Sequence, residues 1–76
     1  MKERKKAMEV LKITLAAARV NAGYSQDDVA SKLSVSKSSI VNWEKGRTTP
    51  SPLYLKALLD LYKISADNLF LPESTH

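Results

Sequence analysis

Start and stop signals for helices recur at short intervals along this chain, and they leave room for little besides a bundle of short helices. Gly23, Ser25, Ser34, Ser36, Gly46, Ser51–Pro52 and Ser65 punctuate the sequence. A serine ahead of a helix accepts a hydrogen bond from a free first-turn amide, and a glycine after it takes the left-handed conformation that turns the chain away. Between these marks the apolar residues recur at intervals of three and four, the spacing of one helix face. Few positions favour strands.

Leu11, Leu15, Ala18 and Ala22 set the face of a first helix, expected from about residue 7 to Asn21 and ended by Gly23. Ser25-Gln26-Asp27-Asp28 then reads as a capping box, with both carboxylates at the positive end of the helix dipole. Val29, Ala30 and Leu33 are the buried face of this second helix, about eight residues long. Ser34–Val35 is a turn, and Ser36 caps a third helix in which Ile40 and Trp43 point inward; it ends near Lys45, with Gly46 as the stop. Residues 47–50 form a loop. Ser51–Pro52 starts the fourth helix, since proline fits the first helical position and holds the preceding serine extended. Leu55, Leu58, Leu59 and Tyr62 are its apolar face, and Ile64 is a core residue linking it to the last segment. Ser65 is expected to cap a last short helix, with Asp67 in its first turn and Leu69 and Phe70 facing inward.

A chain of 76 residues makes one domain and not two. Residues 11–71 are expected to be that domain, 1–10 a basic extension and 72–76 a frayed tail. With 43% hydrophobic residues a core can form, on a thin margin. The absence of cysteine excludes disulfides, thiolate catalysis and cysteine-ligated zinc. His76 is the sole histidine and the last residue, so no ligand or catalytic role is expected of it. No apolar run approaches the roughly 20 residues of a membrane span, and no signal-type apolar stretch follows the charged N-terminus. A soluble cytoplasmic protein is the expectation, with no membrane partner. No nucleophile–base pair, metal cluster or phosphate loop stands out, so neither enzyme activity, a metal, a cofactor nor a small-molecule substrate is expected.

The net charge of +4 is unevenly spread. Lys2, Arg4, Lys5, Lys6 and Lys12 outweigh Glu3 and Glu9; Lys32, Lys37, Lys45 and Arg47 outweigh Glu44; Asp60, Asp67 and Glu73 outweigh Lys63. Two basic zones and an acidic end suit a polyanion on one side.

Ser25 to Gly46 carries the functional signal. Two short helices are joined by a tight turn, and Ser36, Lys37, Ser38, Ser39 and Asn42 lie on the outer face of the second. Short polar side chains let a helix backbone approach the major groove closely. Asn pairs bidentately with adenine, Lys reaches guanine acceptors, and Ser serves either base edge. The first turn of such a helix offers free amides to phosphate. Lys45 and Arg47, just beyond, are placed to hold the DNA backbone.

These residues resemble a known family. Arg19-Val20-Asn21-Ala22-Gly23-Tyr24-Ser25-Gln26, Val29-Ala30-Ser31-Lys32-Leu33, Val35-Ser36-Lys37-Ser38-Ser39-Ile40 and Trp43-Glu44-Lys45-Gly46 look like the Cro/CI-type (XRE) helix-turn-helix family. Ala17 to Gly23, with Asn68-Leu69-Phe70-Leu71-Pro72, look like its small phage-type regulators. The resemblance implies an all-α, compact, five-helix, lambda-repressor-like domain with a recognition helix over about Lys37–Lys45. It implies that Gln26 touches phosphate and braces the base-reading side chains. Lys37, Ser38 and Asn42 match base-contacting positions, Lys45, Arg47 and Thr48 match the phosphate-contacting loop, and Ser36 and Ser39 join the phosphate candidates. Arg19 and Glu44 match a structural pair bridging the first helix to the end of the third. The implied activity is transcriptional regulation, as a repressor, by a homodimer on a near-palindromic double-stranded operator. The family usually has glycine where this chain has Ser34, and a left-handed non-glycine residue costs about 1–2 kcal/mol. The chain also ends where many phage repressors continue into a dimerisation domain, so a dimer is expected to form through the domain itself.

Plainer readings stand beside these. Trp43, at helical spacing from Ile40, is a core residue and not a base-stacking one. Adjacent Asp27 and Asp28 point about 100° apart on a helix, which suits capping and not a metal site. Tyr62 is core, whereas Tyr54 flanks a helix start where exposure is compatible. Lys2–Lys6 reads first as a solvated helix extension and, close behind, as an arm along the DNA backbone. The alternative function is a protein–protein module, antirepressor or antitoxin-like, that retains the fold, with Leu69-Phe70-Leu71 as a partner or self-association surface.

Overall fold

The computed structural model describes residues 12–71. In order along the chain lie a short strand β1 (Ile13–Thr14), the helices α1 (Leu15–Ala22), α2 (Gln26–Leu33), α3 (Lys37–Lys45) and α4 (Pro52–Tyr62), a 3-10 turn (Ala66–Asn68) and a second strand β2 (Leu69–Phe70). The caps explain the boundaries. Ser25, Ser36 and Ser51 each accept a hydrogen bond from the amide three residues on, and Ser25 and Asp28 complete the reciprocal capping box, at 3.0 and 2.9 Å.

Each helix also ends alike, in a left-handed residue: Gly23, Ser34, Gly46 and Lys63. The next amide along reaches back to a carbonyl five residues earlier, as in Tyr24 to Arg19 (3.1 Å), Val35 to Ala30 (3.0 Å), Arg47 to Asn42 (2.9 Å) and Ile64 to Leu59 (3.1 Å). Ser34 takes φ 58° and Lys63 φ 60°, a strain of about 1–2 kcal/mol each that the cap bonds offset.

Two expectations are corrected. Among the described residues there are four α-helices and not five. Where a fifth was expected, Ser65 makes no side-chain cap and the chain turns once before extending. Leu69 and Phe70 instead pair in parallel with Ile13 and Thr14. Alternation along that strand buries Leu69 and turns Phe70 outward, 49% exposed, so Phe70 does not face inward. The same pairing shortens the first helix. β-Branched Ile13 and Thr14 suit an extended strand, and Thr14 then caps α1 by accepting from the Ala17 amide at 3.1 Å. Ala22, expected on the apolar face, is exposed. The expected helix over 7–11, the basic segment Lys2–Lys6 and the tail 72–76 lie outside the described residues.

The core joins Leu15 and Ala18 of α1, Val29 and Ala30 of α2, Ile40 and Trp43 of α3, Leu58 and Tyr62 of α4, and Leu69. Tyr54 is half-buried, its ring 5.5 Å from that of Trp43. No helix among the described residues is long and apolar enough to cross a membrane.

Burial, helped by the field of Glu44 and opposed by Arg19, pushes the Tyr62 phenol from 10.0 up to about 12. The folded state holds that proton more tightly than the unfolded chain. Its contribution is therefore complete below pH 10 and is lost as pH rises from 10 through about 12. Urea melts over this window should show Tyr62→Phe less alkali-sensitive than the parent, by at most about 2 kcal/mol after screening. Parallel pH profiles would assign the alkaline loss elsewhere.

Candidate nucleic-acid interface

The turn between α2 and α3 sets the geometry of the site. Ser34 reverses the chain, Val35 tucks against the core, and Ser36 launches α3 within two residues. Ile40 and Trp43 anchor the inner side of α3. At about 100° per residue the opposite side must then present Lys37, Ser38, Val41, Asn42 and Lys45. Lys37, Ser38 and Lys45 are exposed, while Val41 and Asn42 are half-buried.

The cap of α3 differs from the other three in one respect. Tyr24, Val35 and Ile64, which come directly after the left-handed residues of α1, α2 and α4, are apolar and pack against the core. Arg47, in the equivalent place after Gly46, is exposed. Its backbone amide binds the Asn42 carbonyl at 2.9 Å, and its guanidinium Nη1 lies 3.4 Å from Asn42 Oδ1. The cap thus aims a cation along the outer face of α3. Thr48, also exposed, has its amide 3.5 Å from the same carbonyl.

At the other end of α3, Ser36 Oγ accepts from the Ser39 amide at 3.2 Å and lies 3.1 Å from Ser39 Oγ. Lys37 Nζ is 3.7 Å from Asp27 Oδ2 in an exposed pair that bridges the starts of α2 and α3. Such a pair is weak in water and leaves the ammonium exchangeable. The α3 candidates therefore form two groups, Ser36, Lys37, Ser38 and Ser39 near its start, and Asn42, Lys45, Arg47 and Thr48 near its end, while Gln26, at the start of α2, reaches Glu44 beside the second group. A nine-residue helix separates the two groups by roughly 12 Å.

Beneath the site runs a partly buried ionic network. Arg19 Nε donates to Glu44 Oε2 at 2.7 Å, with side chains only 14% and 8% exposed. Arg19 Nη1 donates to the Tyr24 carbonyl at 2.9 Å, and Gln26 Nε2 donates to Glu44 Oε1 at 3.0 Å. The Glu44 hydrogen bond raises the Arg19 pKa against the opposing effect of burial. Gln26 therefore has one amide N–H held by Glu44 and keeps its other N–H and its carbonyl for a ligand. The Asp28 carboxylate, hydrogen-bonded by the Ser25 amide, is held below its ordinary range. Among the described residues no group of His, Cys, Asp and Glu side chains is placed to hold a metal ion.

Reasoning from sequence alone missed Val41. The signal was its four-residue spacing from both Lys37 and Lys45, which stacks the three on one side of the helix. Among comparisons with known proteins, a family model described as helix-turn-helix matches residues 15–69. No curated protein and no solved structure matches the chain.

Proposed function

The chain belongs to the Cro/CI-type (XRE) helix-turn-helix family, a DNA-binding family, and from that premise we propose that it is a sequence-specific transcriptional repressor. α3 enters the major groove of double-stranded DNA and reads base edges with Lys37, Ser38 and Asn42, supported by Gln26. Ser36, Ser39, Lys45, Arg47 and Thr48 hold the phosphates on either side. Two copies bind a near-palindromic operator, their recognition helices about 34 Å apart, and block polymerase sterically. Of the apolar end proposed for self-association, Leu69 is buried and Leu71 packs on the core, which leaves Phe70 exposed for that contact.

The observation that carries this reading is the division of α3, with Ile40 and Trp43 buried on one side and a polar, basic stripe ending in Arg47 on the other. Selection from a random double-stranded pool at near-physiological salt tests it. Inverted half-sites about ten base pairs apart are expected. Binding without enrichment would leave only the sequence-independent electrostatic component. No binding would favour the protein–protein module.

Two substitutions separate the roles. Asn42→Ala should cost about 1–3 kcal/mol on the selected site and relax preference at one base pair. An equal loss on random DNA would deny it a base contact. Lys45→Ala should weaken binding to all sequences alike and make the salt dependence shallower by about one unit. An unchanged slope removes it from the phosphate contacts.

A further inference from the structure

We propose that Val41 reads the C5 methyl group of a thymine in the major groove. The inference rests on the assignment of α3 as the DNA-reading helix.

Val41 is the one apolar member of the outer stripe Lys37, Ser38, Val41, Asn42 and Lys45. It is half-buried, yet it lies outside the set of apolar side chains that pack against the core, which does include the neighbouring half-buried Leu33 and Val35. Its exposure therefore does not reflect a loose core position. Nor does helix propensity account for it, since valine is a poorer helix former than alanine. Part of the side chain is covered in the folded monomer, and what stays accessible lies along the outer stripe of α3.

What the position offers is a rigid apolar contact. A valine in a helix holds essentially one χ1 rotamer, so its methyl groups have a fixed direction before any ligand arrives. Lys37 and Lys45 lie one turn to either side of it, about 6 Å along the axis each way. Two cations bracketing an isopropyl group suit a surface that is anionic at its rims and carries a small apolar feature between them. Among the four bases seen from the major groove, the thymine methyl is that feature. Asn42, the adjacent residue, offers both a donor and an acceptor, the pattern that adenine takes. The stripe is thus equipped for an A·T-containing step, read through the amide of one residue and the methyl contact of the next.

The test uses the full chain and the duplex selected from the random pool, with each thymine replaced in turn by uracil. Uracil pairs like thymine and keeps its O4 acceptor, so only the methyl group is removed. At one position per half-site, uracil should weaken wild-type binding about four-fold, the value that corresponds to roughly 0.8 kcal/mol for burying one methyl-sized group. Val41→Ala should bind thymine and uracil duplexes equally at that position, with the affinity that wild type shows for uracil. It should also melt within a few degrees of the parent.

A wild-type protein indifferent to uracil at every position overturns the inference. So does Val41→Ala that keeps the full thymine preference, or that melts as low as a core truncation. In each of those cases the selected motif itself still stands and α3 still reads DNA. A pool that enriches no motif overturns the reading of α3, and the role of Val41 falls with it.

Discussion

Truncating Trp43 to alanine should lower the melting temperature by at least about 12 °C and abolish DNA binding through loss of the fold. The indole is 8% exposed, on the side of α3 opposite the polar stripe, and its ring lies 5.5 Å from that of Tyr54 at an angle of 38°. Burial of an aromatic this large, with a tilted aromatic neighbour, makes the truncation worth about 3–5 kcal/mol. A 76-residue domain holds only about 4–11 kcal/mol in total. Trp43→Phe should retain most of the stability and the binding together. Thermal melts by circular dichroism, run beside binding titrations, give the answer. An alanine variant that melts normally but fails to bind would place the indole on the DNA instead.

Glu44→Ala should be nearly as damaging, for an electrostatic reason. Its carboxylate is 8% exposed and accepts from Arg19 at 2.7 Å and from Gln26 at 3.0 Å. Without it the Arg19 guanidinium, 14% exposed, keeps only the Tyr24 carbonyl at 2.9 Å. A stranded, mostly buried charge costs about 3–5 kcal/mol, whereas replacing both partners with apolar groups of similar size is often close to neutral. Arg19→Met combined with Glu44→Leu should therefore be more stable than Glu44→Ala alone. Urea denaturation of the two singles and the double measures the coupling. Strict additivity would mean that the pair contributes no joint energy.

The helices were legible where their ends were written locally. Ser25 with Asp28, Ser36, Ser51–Pro52 and Gly46 fix the bounds of α2, α3 and the start of α4 within a few residues of sequence. The ends of the domain were not legible in that way. Ile13 and Thr14 continue the helical spacing of Leu15 and Ala18, and only a partner from the far end of the chain makes them extended. Ser65 has the residue type of a cap but not the hydrogen bond. Lys63 ends α4 in a left-handed conformation that a lysine does not advertise. On the site side, residue type pointed to Lys37, Ser38, Asn42, Lys45 and Arg47. It concealed Val41, because an apolar residue in a helix is read as inward until the helix is placed against its neighbours.

The pairing of Ile13–Thr14 with Leu69–Phe70 also has a kinetic consequence. It closes a ring containing nearly the whole domain, and ring closure becomes more costly in chain entropy as the ring lengthens. The helices and the α2–α3 turn, by contrast, bring together residues close in sequence and can organise without waiting for the ends. The strand pair is therefore expected to form last on refolding and to open first in the native state, which earlier hydrogen exchange at its amides than in α2 and α3 would show. On that expectation the molecule is ordered in time: the α2–α3 unit assembles early and persists, while the clasp joining the two ends opens and recloses around it.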